Sequence, residues 1–130
     1  MLFFPILVFG AEVHLRVSNL ANDSGFIHFA LYNNEENFLK DDGKLLGFKE
    51  ETFTIINEGV VLKDLASGYY AIAIYHDENS NDEFDTIFGI PIERYGFSNN
   101  VKVFLAPPSF EETSFFLNEN EFKKLTIEIK

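Results

Sequence analysis

The sequence predicts an all-β fold, an antiparallel β-sandwich of about seven or eight strands. Short segments of alternating apolar and polar residues recur between turn residues, and no helical period persists for three turns. The 130 residues are 46% hydrophobic, with 16 Phe and 5 Tyr. A chain of this size buries about two thirds of its unfolded surface, which is enough for one core without disulfides. We therefore expect a single domain over residues 11–130.

The first half of the chain contains four predicted strands. Residues 13–18 and 26–32 alternate strictly, which places His14 and His28 on outward faces as ordinary polar surface residues. Residues 33–51 form a long connection. Residues 52–56 and 60–62 are predicted to be strands joined by a hairpin at Asn57, Glu58 and Gly59.

The second half contains the longest predicted strand, residues 69–75. Further strands are predicted at 86–90, 101–105, 115–117 and 125–130. Before the long strand, Leu65, a small turn ending in Gly68, and Tyr70 resemble the corner of prealbumin-like (transthyretin-like) and other immunoglobulin-like sandwiches. In that corner a Tyr hydroxyl bonds to upstream backbone. The resemblance implies an immunoglobulin-like arrangement.

Charge excludes two classes of partner. The formal net charge is -11 and the pI is about 4.5. Sequence-independent nucleic-acid binding and docking on anionic lipid both need a basic surface. We therefore expect no nucleic-acid partner.

Residues 1–10 are apolar, too short to span a bilayer, and end in small residues. We interpret them as the remnant of a signal peptide, although the usual positively charged leader is missing; the alternatives are a true start upstream, or a plain buried strand that begins at Met1. The expected location is periplasmic or secreted, with no membrane span in the mature chain. The absence of Cys is compatible with this location.

Residues 77–85, which we call the acidic loop, follow the long strand and carry five carboxylates in nine residues. No Lys or Arg occurs between Lys63 and Arg94 to neutralise them. Alternate oxygen-bearing residues of a curled loop are the arrangement that binds calcium. The predicted calcium ligands are Asp77, Asn79, Asn81, Glu83 through its backbone carbonyl, and Asp85.

Two residues depart from the helix-loop-helix calcium pattern. Asp82 stands where Gly normally makes the bend, and Phe88 stands where a bidentate Glu is expected. A remaining ligand would come from Glu93, Asp82 or water. The alternative is a hydrated, metal-free acidic hairpin in which Asn79 and Asn81 make Asx-turns.

Five motifs in order carry a family resemblance: 68–72, 76–81, 88–93, 95–100 and 107–111. With them, nearly the whole chain after residue 10 resembles domain-of-unknown-function family 2141. The resemblance implies a small exported bacterial sandwich and no established activity. The family commonly has Gly at the position of Asp82.

Three functions remain open on the sequence. The first is a noncatalytic envelope module with a calcium-ordered loop, whose partner is an envelope protein or glycan bound near Tyr95, Phe97 and Asn99. The second is a metal-dependent hydrolase with His76 as base beside Asp77 and with Glu93 near a metal-bound water. Outside that hypothesis, His76 ends the inward row of the long strand and is expected to support the acidic loop by hydrogen bonding. The third is a metal-free structural sandwich. The predicted oligomeric state is monomer or homodimer.

Overall fold

The computed structural model describes residues 10–87 and 89–130. The predicted signal-peptide remnant lies almost entirely outside these residues, and so does Phe88. The strands in chain order are β1 (Ala11–Ser18), β2 (Phe26–Tyr32), β3 (Leu46–Glu51), β4 (Val60–Leu65), β5 (Gly68–Asp77), β6 (Thr86–Ile87), β7 (Ile90–Pro91), β8 (Tyr95–Phe97), β9 (Phe115–Leu117) and β10 (Phe122–Glu128). Two short α-helices, α1 (Thr52–Glu58) and α2 (Phe110–Thr113), interrupt them.

The two main sheets form the predicted all-β sandwich. One sheet has the strand order β10-β1-β4, and the other has the order β3-β2-β5-β8, with β9 also pairing with β5. Strands β6 and β7 make a separate two-stranded ribbon. Most pairs are antiparallel as predicted, but β1 and β10 run parallel from the Glu12–Phe122 pair to the Ser18–Glu128 pair.

The core lies between the inner faces of the two sheets. Val13 and Leu15 from β1 and Ile127 from β10 pack with Ile27 of β2 and Ile72 of β5, and all five are at most 1% exposed. Alternation along each strand places these residues on one face. The strands β1, β2 and β5 are therefore where sequence periodicity predicts structure best.

The predicted corner is present at the start of β5. The Tyr70 hydroxyl donates a hydrogen bond to the Ala66 carbonyl oxygen at 2.6 Å. Tyr70 itself is 5% exposed and belongs to the core. The bond closes the turn between β4 and β5 against the core.

The predicted strand 52–56 and the hairpin after it are wrong, because this segment is helix α1. Thr52 and Ile55, three residues apart, are the buried pair, whereas Phe53 is 62% exposed. The helix ends at Gly59, whose φ of 68° suits glycine and whose N–H bonds to the Ile55 carbonyl oxygen. In so short a segment the helical period of 3.6 residues and the strand period of 2 residues fit the sequence equally well. The glycine that ends the helix is the signal that favours the helical conformation.

The predicted strand 101–105 is also absent; only an isolated bridge joins Phe104 to Ala106. Leu105 has a φ of 66° and is 94% exposed. Alternation alone does not make a strand, since the backbone also needs a partner edge. Two strands lie where loops were expected: β3, which pairs with β2, and β8, which pairs with β5.

Candidate metal-binding site

Strand β5 places the acidic loop at one end of the five-stranded sheet. Its last residue, Asp77, is 0% exposed and pairs with Phe26 at the start of β2. Gly25, with a φ of 69°, lies so close that a Cβ there would overlap the Asp77 carbonyl oxygen. The loop thus begins from a fixed, buried carboxylate.

The loop curls around the Asp77 side chain. Its carboxylate accepts hydrogen bonds from the N–H groups of Asn81 at 3.2 Å and Asp82 at 2.9 Å. The Asn79 and Asn81 side-chain oxygens each accept a bond from the N–H two residues ahead. Asp82 takes a φ of 61°, so it makes the bend for which a calcium loop normally uses Gly.

Four of the five predicted ligand residues converge. The side-chain amides of Asn79 and Asn81 donate to the two carboxylate oxygens of Asp85, at 2.8 and 2.7 Å. Asp77 joins them through its bond to the Asn81 N–H. The Glu83 side chain is exposed, and only its backbone had been assigned a ligand role.

Glu93 clamps the two ends of the loop. Its carboxylate accepts bonds from the N–H of Asp85 at 2.8 Å and from the N–H of Glu78 at 3.1 Å. Glu93 is 6% exposed, and its burial raises the pKa of the carboxyl against the lowering effect of these two bonds. Glu93 therefore holds the two ends of the loop together, and each of its carboxylate oxygens already accepts a hydrogen bond from a backbone N–H.

A second cluster lies on the outer face of the sheet. The His28 Nε2 is 3.0 Å from the Asp77 Oδ2 and 3.5 Å from the Asp82 Oδ1. One ligand atom from each of these three residues lies within 4.8 Å of the others. The Lys49 ammonium also reaches the Asp82 Oδ1, at 2.8 Å, and lowers the pKa of that carboxyl.

Tyr75 contacts both the cluster and the loop. Its ring stacks on His28 with centroids 4.5 Å apart and planes at 6°, and it also packs against Phe84. Burial, followed by the charges of Asp77, Glu93, Asp82 and Asp85, raises the pKa of Tyr75 to about 12. Tyr75 is therefore a half-buried phenol beside several carboxylates.

These side chains border a groove of about 1380 Å³ on the outer face of the five-stranded sheet. Gly47, Ala30 and Ala73 are paired across β3, β2 and β5 and form its floor. Tyr75 and Tyr95 are among the aromatic residues that line it. Small residues flanked by rings make this face concave.

His76 is separate from both clusters. It is 0% exposed on the inner face of β5, and its Nε2 lies 2.8 Å from the Ser24 carbonyl oxygen. Its Nδ1 has no hydrogen-bond partner among the described residues. This geometry suits a residue that ties the turn before β2 to β5, and it offers no support for a base acting on water at the loop.

The three predicted partner-binding residues have different environments. Tyr95 is half-buried and contacts Phe84 and Phe97 through its ring. Phe97 is 8% exposed. The Asn99 side-chain amide donates to the carbonyl oxygens of Glu112 and Ser114, so it holds neighbouring chain segments together.

The contact of His28 with Asp77 could not be predicted from the sequence. The outward orientation of His28 was predicted, but its contact with Asp77 crosses 49 residues of sequence. The contact exists because β2 and β5 pair with His28 opposite Tyr75. No local pattern signals that register.

In the part of the chain that the structure covers, no helix has the length and apolar character needed to cross a membrane. Comparison with known proteins finds no matching curated protein and no matching solved structure. One family model matches residues 15–124, which is most of the chain. The chain therefore belongs to the family described as "Uncharacterized protein conserved in bacteria (DUF2141)".

Proposed function

We propose that this protein is a noncatalytic binding module of the bacterial cell envelope whose acidic loop is ordered by calcium. The observation that carries the proposal is the chain of hydrogen bonds that links Asp77, Asn79, Asn81 and Asp85: the Asn79 and Asn81 side-chain amides both donate to Asp85, and the Asn81 N–H donates to Asp77. Calcium takes six to eight oxygen ligands, and these four residues and the Glu83 carbonyl supply a large part of that number.

The conformation of the loop supports the proposal. Oxygen atoms at alternate positions turn inward only if the backbone curls, and the hydrogen bonds from the Asn81 and Asp82 N–H groups to the Asp77 carboxylate hold it curled. Preorganisation of this kind lowers the cost of binding, because fewer groups need ordering when the ion arrives.

The charge balance supports it as well. In the described structure the acidic loop's one lysine ion pair is with Lys49, at Asp82 on the outer side. Among the described residues, the side-chain hydrogen-bond partners of the Asp85 carboxylate are the uncharged amides of Asn79 and Asn81, which leave its charge uncompensated. A divalent cation would relieve repulsion between Asp77, Asp85 and their neighbours.

The location and the partner belong to the same proposal. Export is supported by the apolar residues 1–10, and a periplasmic or extracellular setting is where millimolar-range calcium sites operate. The groove beside Tyr75 and Tyr95 is the surface we assign to the partner, an envelope protein or glycan. Aromatic rings with polar tips are suited to both.

Thermal unfolding in chelator and then over a calcium titration, with magnesium as a control, tests the proposal. Calcium at about a hundred times its dissociation constant should add ~2.7 kcal/mol, which raises the midpoint by about 10 °C for a chain of this size. Magnesium should give a much smaller shift because it demands tighter, octahedral coordination.

Two variants that each remove one carboxylate charge test whether the calcium-dependent shift arises in the acidic loop. Asp85→Asn should remove most of the calcium shift, and Asp23→Asn, an exposed change of the same charge outside the loop, should keep it. No shift in the wild type up to ~10 mM calcium would overturn the proposal, since that limit lies beyond the extracellular range of affinities.

A further inference from the structure

We infer that His28, Asp77 and Asp82 form a binding site for a first-row transition-metal dication such as zinc, distinct from the proposed calcium loop. One imidazole nitrogen and two carboxylate oxygens make up the ligand set. An imidazole favours zinc and its neighbours over calcium, which prefers oxygen ligands only. The site leaves positions open for water or an exogenous ligand.

The distances between the ligand atoms fit such an ion. Zinc bonds of about 2.0–2.1 Å in tetrahedral geometry place ligand atoms about 3.3 Å apart. The His28 Nε2 lies 3.0 Å from Asp77 Oδ2 and 3.5 Å from Asp82 Oδ1, on either side of that value, and one ligand atom of each residue lies within 4.8 Å of the others. A metal bound to the His28 Nε2 and the Asp77 Oδ2 would take the place of the hydrogen bond between them.

Neighbouring groups hold the ligands in place. Asp77 is 0% exposed, and its carboxylate is fixed by the N–H groups of Asn81 and Asp82. The His28 ring is fixed by parallel stacking on Tyr75. His28 and Asp77 both lie on paired strands, which position ligands more precisely than loops do.

A metal ion can reach the site from solvent, and the Lys49 ammonium competes with it for Asp82. His28 and Asp82 line the groove, so an ion can reach them from solvent. Lys49 bonds to the same Asp82 oxygen at 2.8 Å and occupies the place of a cation. Removing that ammonium should therefore strengthen metal binding. If the three residues form only ion pairs and no metal site, removing it would give no increase in metal affinity.

The inference does not depend on calcium binding, although the two sites share Asp77. The calcium loop would use Asn79, Asn81 and Asp85, and the transition metal would use His28 and Asp82. Variants outside Asp77 therefore separate the two: Asp85→Asn should weaken calcium and spare zinc, and His28→Gln should do the reverse.

Isothermal titration of the chelator-treated protein with zinc, alongside cobalt(II) absorption spectra, tests the inference. We expect one equivalent to bind in the micromolar range. His28→Gln keeps a hydrogen-bond donor towards Asp77 but should weaken zinc at least tenfold, while Lys49→Gln should tighten it several-fold. His14→Gln, the matched histidine control, should change nothing.

Two results would overturn the inference. The first is no zinc binding by the wild type up to ~1 mM. The second is wild-type affinity in His28→Gln, which would place the ion elsewhere. A thermal unfolding curve of each variant in chelator shows whether it is folded, and the Lys49→Gln result stays informative if His28→Gln is not.

Discussion

His14 and His28 occupy equivalent places in two similar strands, yet they have different surroundings. Each faces outward in an alternating strand and lies 3.0 Å from a carboxylate. His14 meets Glu12, two residues away on its own strand, and the two side chains are 34% and 37% exposed. His28 meets Asp77 from another strand, and these side chains are 19% and 0% exposed.

The difference comes from what lies above each sheet. On the three-stranded sheet the His14 ring packs against Phe122, but the His14 and Glu12 side chains both stay about one third exposed, so water screens their pair and the contact is worth little. Above the five-stranded sheet, the acidic loop and Tyr75 enclose His28 and Asp77. The same residue type in the same pattern is thus a surface group in one sheet and part of a charged cluster in the other.

The largest expected effect is at the buried carboxylate. Asp77→Ala should cost about 3 kcal/mol of unfolding free energy, because it removes the partner of His28, leaves the Asp82 N–H without its acceptor and leaves the Asn81 N–H only its bond to the Asn79 side chain. Glu12→Ala, which breaks the corresponding pair in the other sheet, should change it by less than about 0.5 kcal/mol. Urea unfolding in chelator measures both. Equal costs would contradict the comparison.

A smaller effect on stability is expected at Glu93, which joins the two ends of the acidic loop. Glu93→Ala should cost about 1–2 kcal/mol, since the Asp85 and Glu78 N–H groups lose their acceptor. Glu93→Gln keeps one acceptor oxygen and should cost less. Glu83→Ala, an exposed loop carboxylate, is the control and should be nearly neutral. Hydrogen exchange of the two amides would show whether loss of stability begins at the clamp.

The smallest effect near neutral pH is expected at Tyr75, whose burial beside the carboxylates can be followed by titration. Its pKa is raised from 10.0 to about 12, so the folded state keeps its proton where the unfolded state loses it. The resulting stabilisation is complete below pH ~10 and is lost as the pH rises through about 12. Tyr75→Phe should barely change stability at pH 7.

Tyrosinate absorbance during alkaline titration measures this shift. The wild type should show a late-titrating component that Tyr75→Phe diminishes and that the exposed-residue control Tyr69→Phe retains. If Tyr75→Phe leaves the late component intact, Tyr75 is not buried beside the carboxylates as the structure places it.

Local patterns were sufficient where one short segment contains its own signal. The alternation of residues 26–32 predicts β2 with its observed bounds, and Tyr70 predicts the corner bond to Ala66. Local patterns were insufficient where a helix and a strand fit the same residues, as in helix α1. They were also insufficient where a strand needs a neighbouring strand to pair with, as at residues 101–105.

An all-β sandwich, an acidic composition, family membership and the order of oxygen-bearing residues in the acidic loop all follow from the sequence. Those properties depend on composition, periodicity and spacing, which act within a few residues. Three features appear only in the folded structure: His28 lies against Asp77 and Asp82, Glu93 bonds to both ends of the loop, and His76 is buried. These contacts depend on the register between β2 and β5 and on burial, which side chains distant in sequence create together.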